Sequence, residues 1–273
     1  MSTRVVKGVL CLLSLAAPAL GPATNGVWHA ADSSNWAGYA ASGGTFTSVS
    51  GTWTVPAGGG NGTDATWVGI GGDKTHDLIQ AGTENIVRGG RVSHDAWVEM
   101  LPAASRPVNL PVHAGDTISV SLAQSAPSQW QVTINNTTTG QQFQATEQYS
   151  SSLSSAEWIE EAPSNRQTVL PLDDFGTIAF SGATAVENGQ QVSISQANGQ
   201  AITMIRGRQA LATPSALGAD GQSFSVSFDA AGAISGTPPV VTEPFPCVTT
   251  GPAPRFPVDP FPFPRIRRGR GID

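Results

Sequence analysis

"TISVSLAQ", residues 117–124, alternates hydroxyl-bearing or small residues with Ile118, Val120 and Leu122. In an extended chain successive side chains point to opposite faces, so this spacing gives one apolar face and one polar face. A helix would set Val120 on the opposite side from Ile118 and Leu122 and leave no stripe to bury. The stretch is therefore a strand.

The same texture continues in both directions. "WQVTINN" (130–136) and "QQFQATEQ" (141–148) follow, and "SGTWTVP" (50–56), "ATWVGIGG" (65–72), "DAWVEMLP" (95–102), "GTIAFSGA" (176–183) and "AITMIRG" (201–207) share it. Short alternating runs punctuated by Gly, Asn or Pro mark an all-β chain. "INNTTTGQ" (134–141) and "SQANGQAI" (195–202) read as hairpin turns. With 31 Gly and 20 Pro among 273 residues, the chain predicts many short strands and tight turns, packed as a two-sheet antiparallel β-sandwich.

The ends differ from this middle. "MSTRVVKGVLCLLSLAAPALGPA" (1–23) has Arg4 and Lys7, an apolar run and then small residues, the pattern of a secretory signal. It leaves little room for a propeptide before the domain at 24–229. Residues 230–273 carry Pro every few positions, which removes ladder hydrogen bonds and predicts a disordered Pro-rich tail. Its end, "RIRRGRG" (265–271), reads as a solvated charge run.

Composition narrows the function. Cys11 lies in the leader and Cys247 in the tail, so the domain is expected to fold without a disulfide, a thiolate metal site or a cysteine nucleophile. Between Thr24 and Asp229 there are 17 Asp and Glu against 7 Lys and Arg, a net charge of −10. Such a surface repels nucleic acid and anionic membrane. A secreted monomer acting in acidic surroundings is expected.

Only 12% of residues are charged, yet "AEWIEEAP" (156–163) holds three glutamates around one tryptophan. On a strand Glu157, Ile159 and Glu161 share one face, and Trp158 and Glu160 the other. "DAWVE" sets Asp95, Trp97 and Glu99 on one face in the same way, and "LIQAGTE" (78–84) presents Gln80 at a strand end. Acids among aromatics suit the floor of a cleft. A surface strand would account for any one of these features taken alone.

Taken in order, "ATWVGIGG", "LIQAGTE", "DAWVEMLP", "AEWIEEAP" and "LDDFGTIAF" (172–180) resemble the glutamic peptidases, the eqolisins, over residues 33–229. The resemblance implies a concanavalin A-like jelly-roll sandwich and an acid endopeptidase acting on protein or peptide substrates without metal or cofactor. It places the catalytic pair on Gln80 and Glu161, and substrate contacts on Trp67, Glu84, Asp95, Trp97, Glu99 and Glu157. Glu157 and Glu160 would tune the field of Glu161 or face solvent. Gly71 stands where fungal members carry Asp, Glu84 where they carry Asp, and Pro163 where they carry Phe.

Elementary chemistry agrees with that pair. Amide hydrolysis needs a base for the water and a donor for the oxyanion, and Glu and Gln supply them. Other hydrolytic machinery is missing from the sequence: it has neither HExxH nor GxSxG, and His29, His76, His94 and His113 lack metal-ligand spacing. His76 and His94 read as loop residues. Two rivals stay open: a sandwich glycosidase or carbohydrate-binding module, since acids beside Trp also hold sugars, and a binding protein that kept the fold without activity. Glu157 and Glu161 stand roughly 13 Å apart along a strand, too far for a glycosidase pair, but Glu99 could approach Glu161.

Overall fold

The computed structural model describes residues 31–164 and 168–230; the leader and the Pro-rich tail expected from the sequence lie outside them. Sixteen strands follow in chain order: β1 (Ala31–Ser33), β2 (Trp36–Ser42), β3 (Phe46–Thr54), β4 (Gly62–Ile70), β5 (Ile79–Arg88), β6 (Arg91–Met100), β7 (Arg106–Pro107) and β8 (Thr117–Ala126). The second half comprises β9 (Gln129–Asn136), β10 (Gln141–Gln148), β11 (Ser155–Glu161), β12 (Thr177–Glu187), β13 (Gln190–Ser193), β14 (Gln200–Arg206), β15 (Gln209–Pro214) and β16 (Phe224–Phe228).

Two layers make an antiparallel sandwich. One runs β16-β15-β14-β2-β11-β4-β5-β6-β7, the other β10-β9-β8-β3-β12. β12 belongs to both: Thr177–Phe180 pair with β16, and from Ser181 onward it pairs with β3. The register slips between Ser181 and Thr184, where Gly182 has φ of 57°, a conformation only glycine adopts at little cost. That bulge lets one strand turn the corner between sheets. β1 is the exception to the antiparallel order, lying parallel to β14.

The alternation in "TISVSLAQ" is realised in β8, whose Ile118, Val120 and Leu122 are fully buried between the layers. Trp53, Trp130, Trp158 and Phe180 fill the same core. Burying a large apolar side chain contributes about 1.5–3 kcal/mol, so such a core stabilises the fold without a disulfide.

"INNTTTGQ" is the turn of the β9–β10 hairpin, with Asn136 opposite Gln141. "SQANGQAI" is not a hairpin turn. It links β13, which pairs with β12, to β14, which pairs with β15 and β2. The Asn-Gly step turns the chain locally, but its flanking strands find other partners.

β4, β5 and β11 are buried on both faces. An antiparallel sheet usually leaves one face wet. Here Ala156, Trp158, Val68, Ala81 and Val98 point into the core, while Ile159, Trp67, Trp97, Leu78 and Trp36 form a second apolar cluster on the opposite face. That second face carries the acids.

Candidate active site

Cross-strand register lays out the second face in rows. Glu157, Gly69, Gln80 and Glu99 form one; Ile159, Trp67, Gly82 and Trp97 the next; Glu161, Ala65, Glu84 and Asp95 the third. Strands β11, β4, β5 and β6 thus bring all eight expected residues onto adjacent rows of one sheet.

Trp67 is the hub. Its ring leans over Gly69, where a Cβ would lie 2.8 Å from Trp67 Cζ3 and 2.9 Å from Leu78 Cδ1, so only glycine leaves the space. From there Trp67 Nε1 donates to Glu161 Oε2 at 2.8 Å. Asn35 Nδ2 donates to Glu161 Oε1 at 2.9 Å. Trp36, edge-on to Trp67 with ring centroids 5.1 Å apart, adds a further hydrogen-bonding influence on the same carboxyl. An indole N–H only donates, so this surrounding favours an ionised Glu161.

Burial opposes it. Loss of solvent, then the charge of Glu99, push Glu161 up to about 8 against the donors Trp67, Asn35 and Trp36. Burial also pushes Glu99 up to about 7, against its hydrogen bonds from Gln80 and the Ser105 backbone. Glu84 is pushed up to about 7 by burial and then by Asp95 and Glu99, with Arg88 opposing. The part of the Glu161 shift due to Glu99 disappears once Glu99 is protonated, so the two carboxyls titrate as a pair.

Gln80 is the second residue of β5 rather than a strand-end projection. Its Nε2 donates to Glu99 Oε2 at 2.5 Å, while its Oε1 is buried without a partner. Trp97 Nε1 is likewise buried and unpartnered among the described residues. Native structures pair most such groups, so two orphans on one face mark a place where a ligand would complete them.

Three expectations change. Glu160 does not face solvent: it is fully buried on the core side, where Thr66 Oγ1 donates to its Oε2 at 2.7 Å and Asp64 lies close. Trp67 and Glu157 are fully buried and present no surface to a substrate. Trp67 instead holds Glu161. Neither oxygen of Glu157 has a well-formed hydrogen bond, although Ser155 and the Asp73 backbone lower its pKa against a strong upward shift from burial. His94 is not a loop residue but lies on β6, its Nδ1 2.5 Å from Asn85 Oδ1.

Asn35 and Tyr149 escaped sequence reading. Tyr149 Oη accepts from Leu78 N at 2.7 Å and donates to Leu101 O at 2.9 Å, fixing the chain two residues before Gln80 and one after β6. An Asn before a strand and a lone Tyr in a serine-rich segment carry no signal of such roles. Gly71, with φ of 85°, would place a Cβ 2.7 Å from Asp77 O, so the fungal Asp has no room here. No three His, Cys, Asp or Glu among the described residues are arranged to hold a metal.

The chain is similar to known proteins in sequence and fold. Residues 34–228 match the Peptidase A4 family. Aspergillopepsin-2 of Aspergillus niger is 30% identical over 203 residues, 63% of this chain and 71% of its own length. Scytalidopepsin B of Scytalidium lignicola is 31% identical over 179 residues, 60% and 68% of the respective chains. A crystal structure of scytalido-glutamic peptidase with a transition state analog inhibitor superposes with a TM-score of 0.64 at 26% identity, covering 72% of this chain and 98% of that one. Aspergilloglutamic peptidase from Aspergillus niger gives 0.57 at 27% identity, covering 62% and 100%.

Proposed function

This chain belongs to the Peptidase A4 family and is a peptide hydrolase, and from that premise we propose that it is an exported acid endopeptidase whose catalytic pair is Gln80 and Glu161. The observation that carries the pair is the setting of Glu161: buried, yet with a separate donor on each carboxyl oxygen. Those donors meet the carboxylate when Glu161 gives up its proton, against the burial that favours the neutral acid.

The chemistry follows. Ionised Glu161 takes a proton from a water as its oxygen attacks the scissile carbonyl carbon, and the carbonyl electrons move to oxygen. An N–H of Gln80 Nε2 meets that oxyanion. When the tetrahedral species collapses, the C–N bond breaks and Glu161 returns its proton to the leaving amine. The carboxylate is regenerated, and neither a metal nor a covalent intermediate is required. The unpartnered Trp97 N–H, with Glu84 and Asp95 beside it, suits the flanking peptide groups.

The ionisation state sets the pH range. The working state has one proton on the carboxyl pair: Glu161 charged among its donors, Glu99 neutral. Burial raises Glu99 to about 7 and Glu161 to about 8, so in acid the free site holds a proton on each carboxyl, and the one-proton state is the minor form through which the reaction passes.

Export rests on the leader at residues 1–23, and the acidic domain surface supports action on peptides rather than nucleic acid or membrane. No helix among the described residues is long and apolar enough to cross a membrane. The chain is proposed to act as a monomer.

Incubation of the mature protein with an acid-denatured protein substrate at about pH 3–5, around free carboxyl pKa values, tests this with chelator present throughout. Fragments are expected, with or without chelator. Cleavage only after zinc is restored would contradict the mechanism.

A further inference from the structure

The contact between Gln80 and Glu99 leaves a problem that the pair of catalytic residues alone does not resolve. Gln80 Nε2 is the group needed for the oxyanion, yet it is held by Glu99 Oε2 at 2.5 Å. The other end of the amide, Oε1, is the buried orphan. A buried acceptor without a partner is costly, and an oxygen lining the reaction site would repel a developing oxyanion.

The two ends of a glutamine amide have nearly the same shape and exchange by rotation of the terminal torsion. A protonated Glu99 has an O–H to give. It would donate to Oε1, which relieves the orphan and turns Nε2, with both hydrogens, to the side where the oxygen had been.

Resting on the reading of Gln80 as oxyanion donor, we propose that Glu99 is a positioning residue whose proton selects which end of the Gln80 amide faces the substrate. Protonated, it gives its O–H to Gln80 Oε1 and leaves the donor outward. Ionised, it captures Nε2 and leaves the oxygen outward. The structure has Nε2 against Glu99, the arrangement expected with an ionised Glu99.

Burial supports the direction of the switch. Glu99 is only 6% exposed and is raised to about 7, so it is protonated in acid and ionises as pH rises through that value. Other ionisable groups stand near it. Glu84 from β5 and Glu161 from β11 are acids that it influences, and Asp95 lies farther along β6. Tyr149 is pushed up to about 12, with burial first among the causes and the charge of Glu99 contributing, so it stays neutral. Arg106 on β7 is engaged with Glu147, leaving the Ser105 backbone N–H as the other donor to Glu99.

The test is the pH profile of kcat/KM for the full mature chain and for Glu99→Gln, measured where circular dichroism shows both folded. Glutamine keeps the size and always has an N–H to give to Gln80 Oε1. Each profile is normalised to its own maximum. The wild type is expected to fall above about pH 7, and Glu99→Gln to retain ~10-fold more of its maximal activity at pH 8, a shift of about one unit in the limb. Superimposable limbs would overturn the proposal, and so would a folded Glu99→Gln that is inactive at every pH, which would place Glu99 in the chemistry itself.

If Glu99→Gln does not fold, the wild type supplies the answer. The side-chain 15N–1H2 signals of Gln80, identified by their loss in Gln80→Ala, should move with a midpoint matching the activity limb. Signals indifferent to pH between 5 and 8 would overturn the switch. Failure of the catalytic pair is separate: it would appear as turnover surviving in Gln80→Ala or Glu161→Gln, whatever the Glu99 profile does.

Discussion

Trp67 bears on the proposed site from inside the fold. It is fully buried, and its indole N–H is one of the donors that hold Glu161. Trp67→Phe keeps the ring and deletes that donor. A hydrogen bond to a charged group contributes about 1.5–3 kcal/mol, so Glu161 ionisation should become roughly ten- to a hundredfold harder. The acid limb of kcat/KM should therefore move to higher pH by about one to two units. An unmoved acid limb would mean that the Trp67 contact does not tune Glu161. At this scale the motifs singled out Gln80, Glu161, Trp97 and Glu99, because acids beside aromatics on one strand face are unusual, and the sheet sets them on adjacent rows. Asn35 was not legible, because its role depends on Trp36 lying opposite Glu161 across β2 and β11. Glu160 was misjudged because alternation reveals that a residue points away from its neighbours, but not whether the far side is water or core.

Among the elements, the site depends on where β5 begins. Tyr149, just past the end of β10, reaches over to Leu78 N and Leu101 O and so fixes the entry to the strand that bears Gln80. Tyr149→Phe leaves both backbone groups without that hydroxyl. A loss of about 1–3 kcal/mol is expected for a buried group left unpaired, read as a lower melting temperature. A smaller fall in kcat should accompany it, since Gln80 lies two residues on. An unchanged melting temperature would show that the loop merely rests on the sheet. Local pattern sufficed for β8, β9 and β10, whose partners are neighbours in sequence. It failed for "SQANGQAI", because pairing of β13 and β14 is decided by β12 and β2, far away in the chain. The corner turned by β12 was equally hidden, since Gly182 looks like any strand glycine until its register slips.

Besides Asp116, where hydrogen bonds from the His113 backbone and Asn136 outweigh burial and hold the carboxyl low, the described residues bury an unusual number of acids: Asp64, Glu84, Glu99, Glu157, Glu160, Glu161 and Asp173. Burial raises every one of them, with Glu84 and Glu99 at about 7 and Glu161 at about 8, against 4.5 for a free glutamate. Between those values the folded chain keeps protons that the unfolded chain releases. Stability is therefore fully present below about pH 4.5 and lost as pH rises through about 7–8, each shifted unit being worth about 1.4 kcal/mol per group. Melting temperature should be highest in acid and fall toward neutrality. Glu160→Gln, on the core side beside Asp64, should lessen that fall while leaving turnover largely intact. A melting temperature independent of pH from 4 to 8 would contradict this account.

Composition and alternation had already pointed to an acidic sandwich, but the number of acids inside it could be counted only once both faces of β4, β5 and β11 were seen to be covered. The central claim is that this fold hydrolyses peptides with Gln80 and Glu161 acting as one unit, and its most direct test is a cycle of Gln80→Ala, Glu161→Gln and the double variant, comparing kcat on one peptide at the wild-type optimum. Losing an oxyanion donor typically costs ~10² to 10³ in kcat and losing a general base ~10² to 10⁴. The account predicts both losses in folded proteins, with the double variant little worse than the poorer single one, as for residues that work together. Either single variant retaining wild-type turnover, or losses that simply multiply in the double variant, would contradict it.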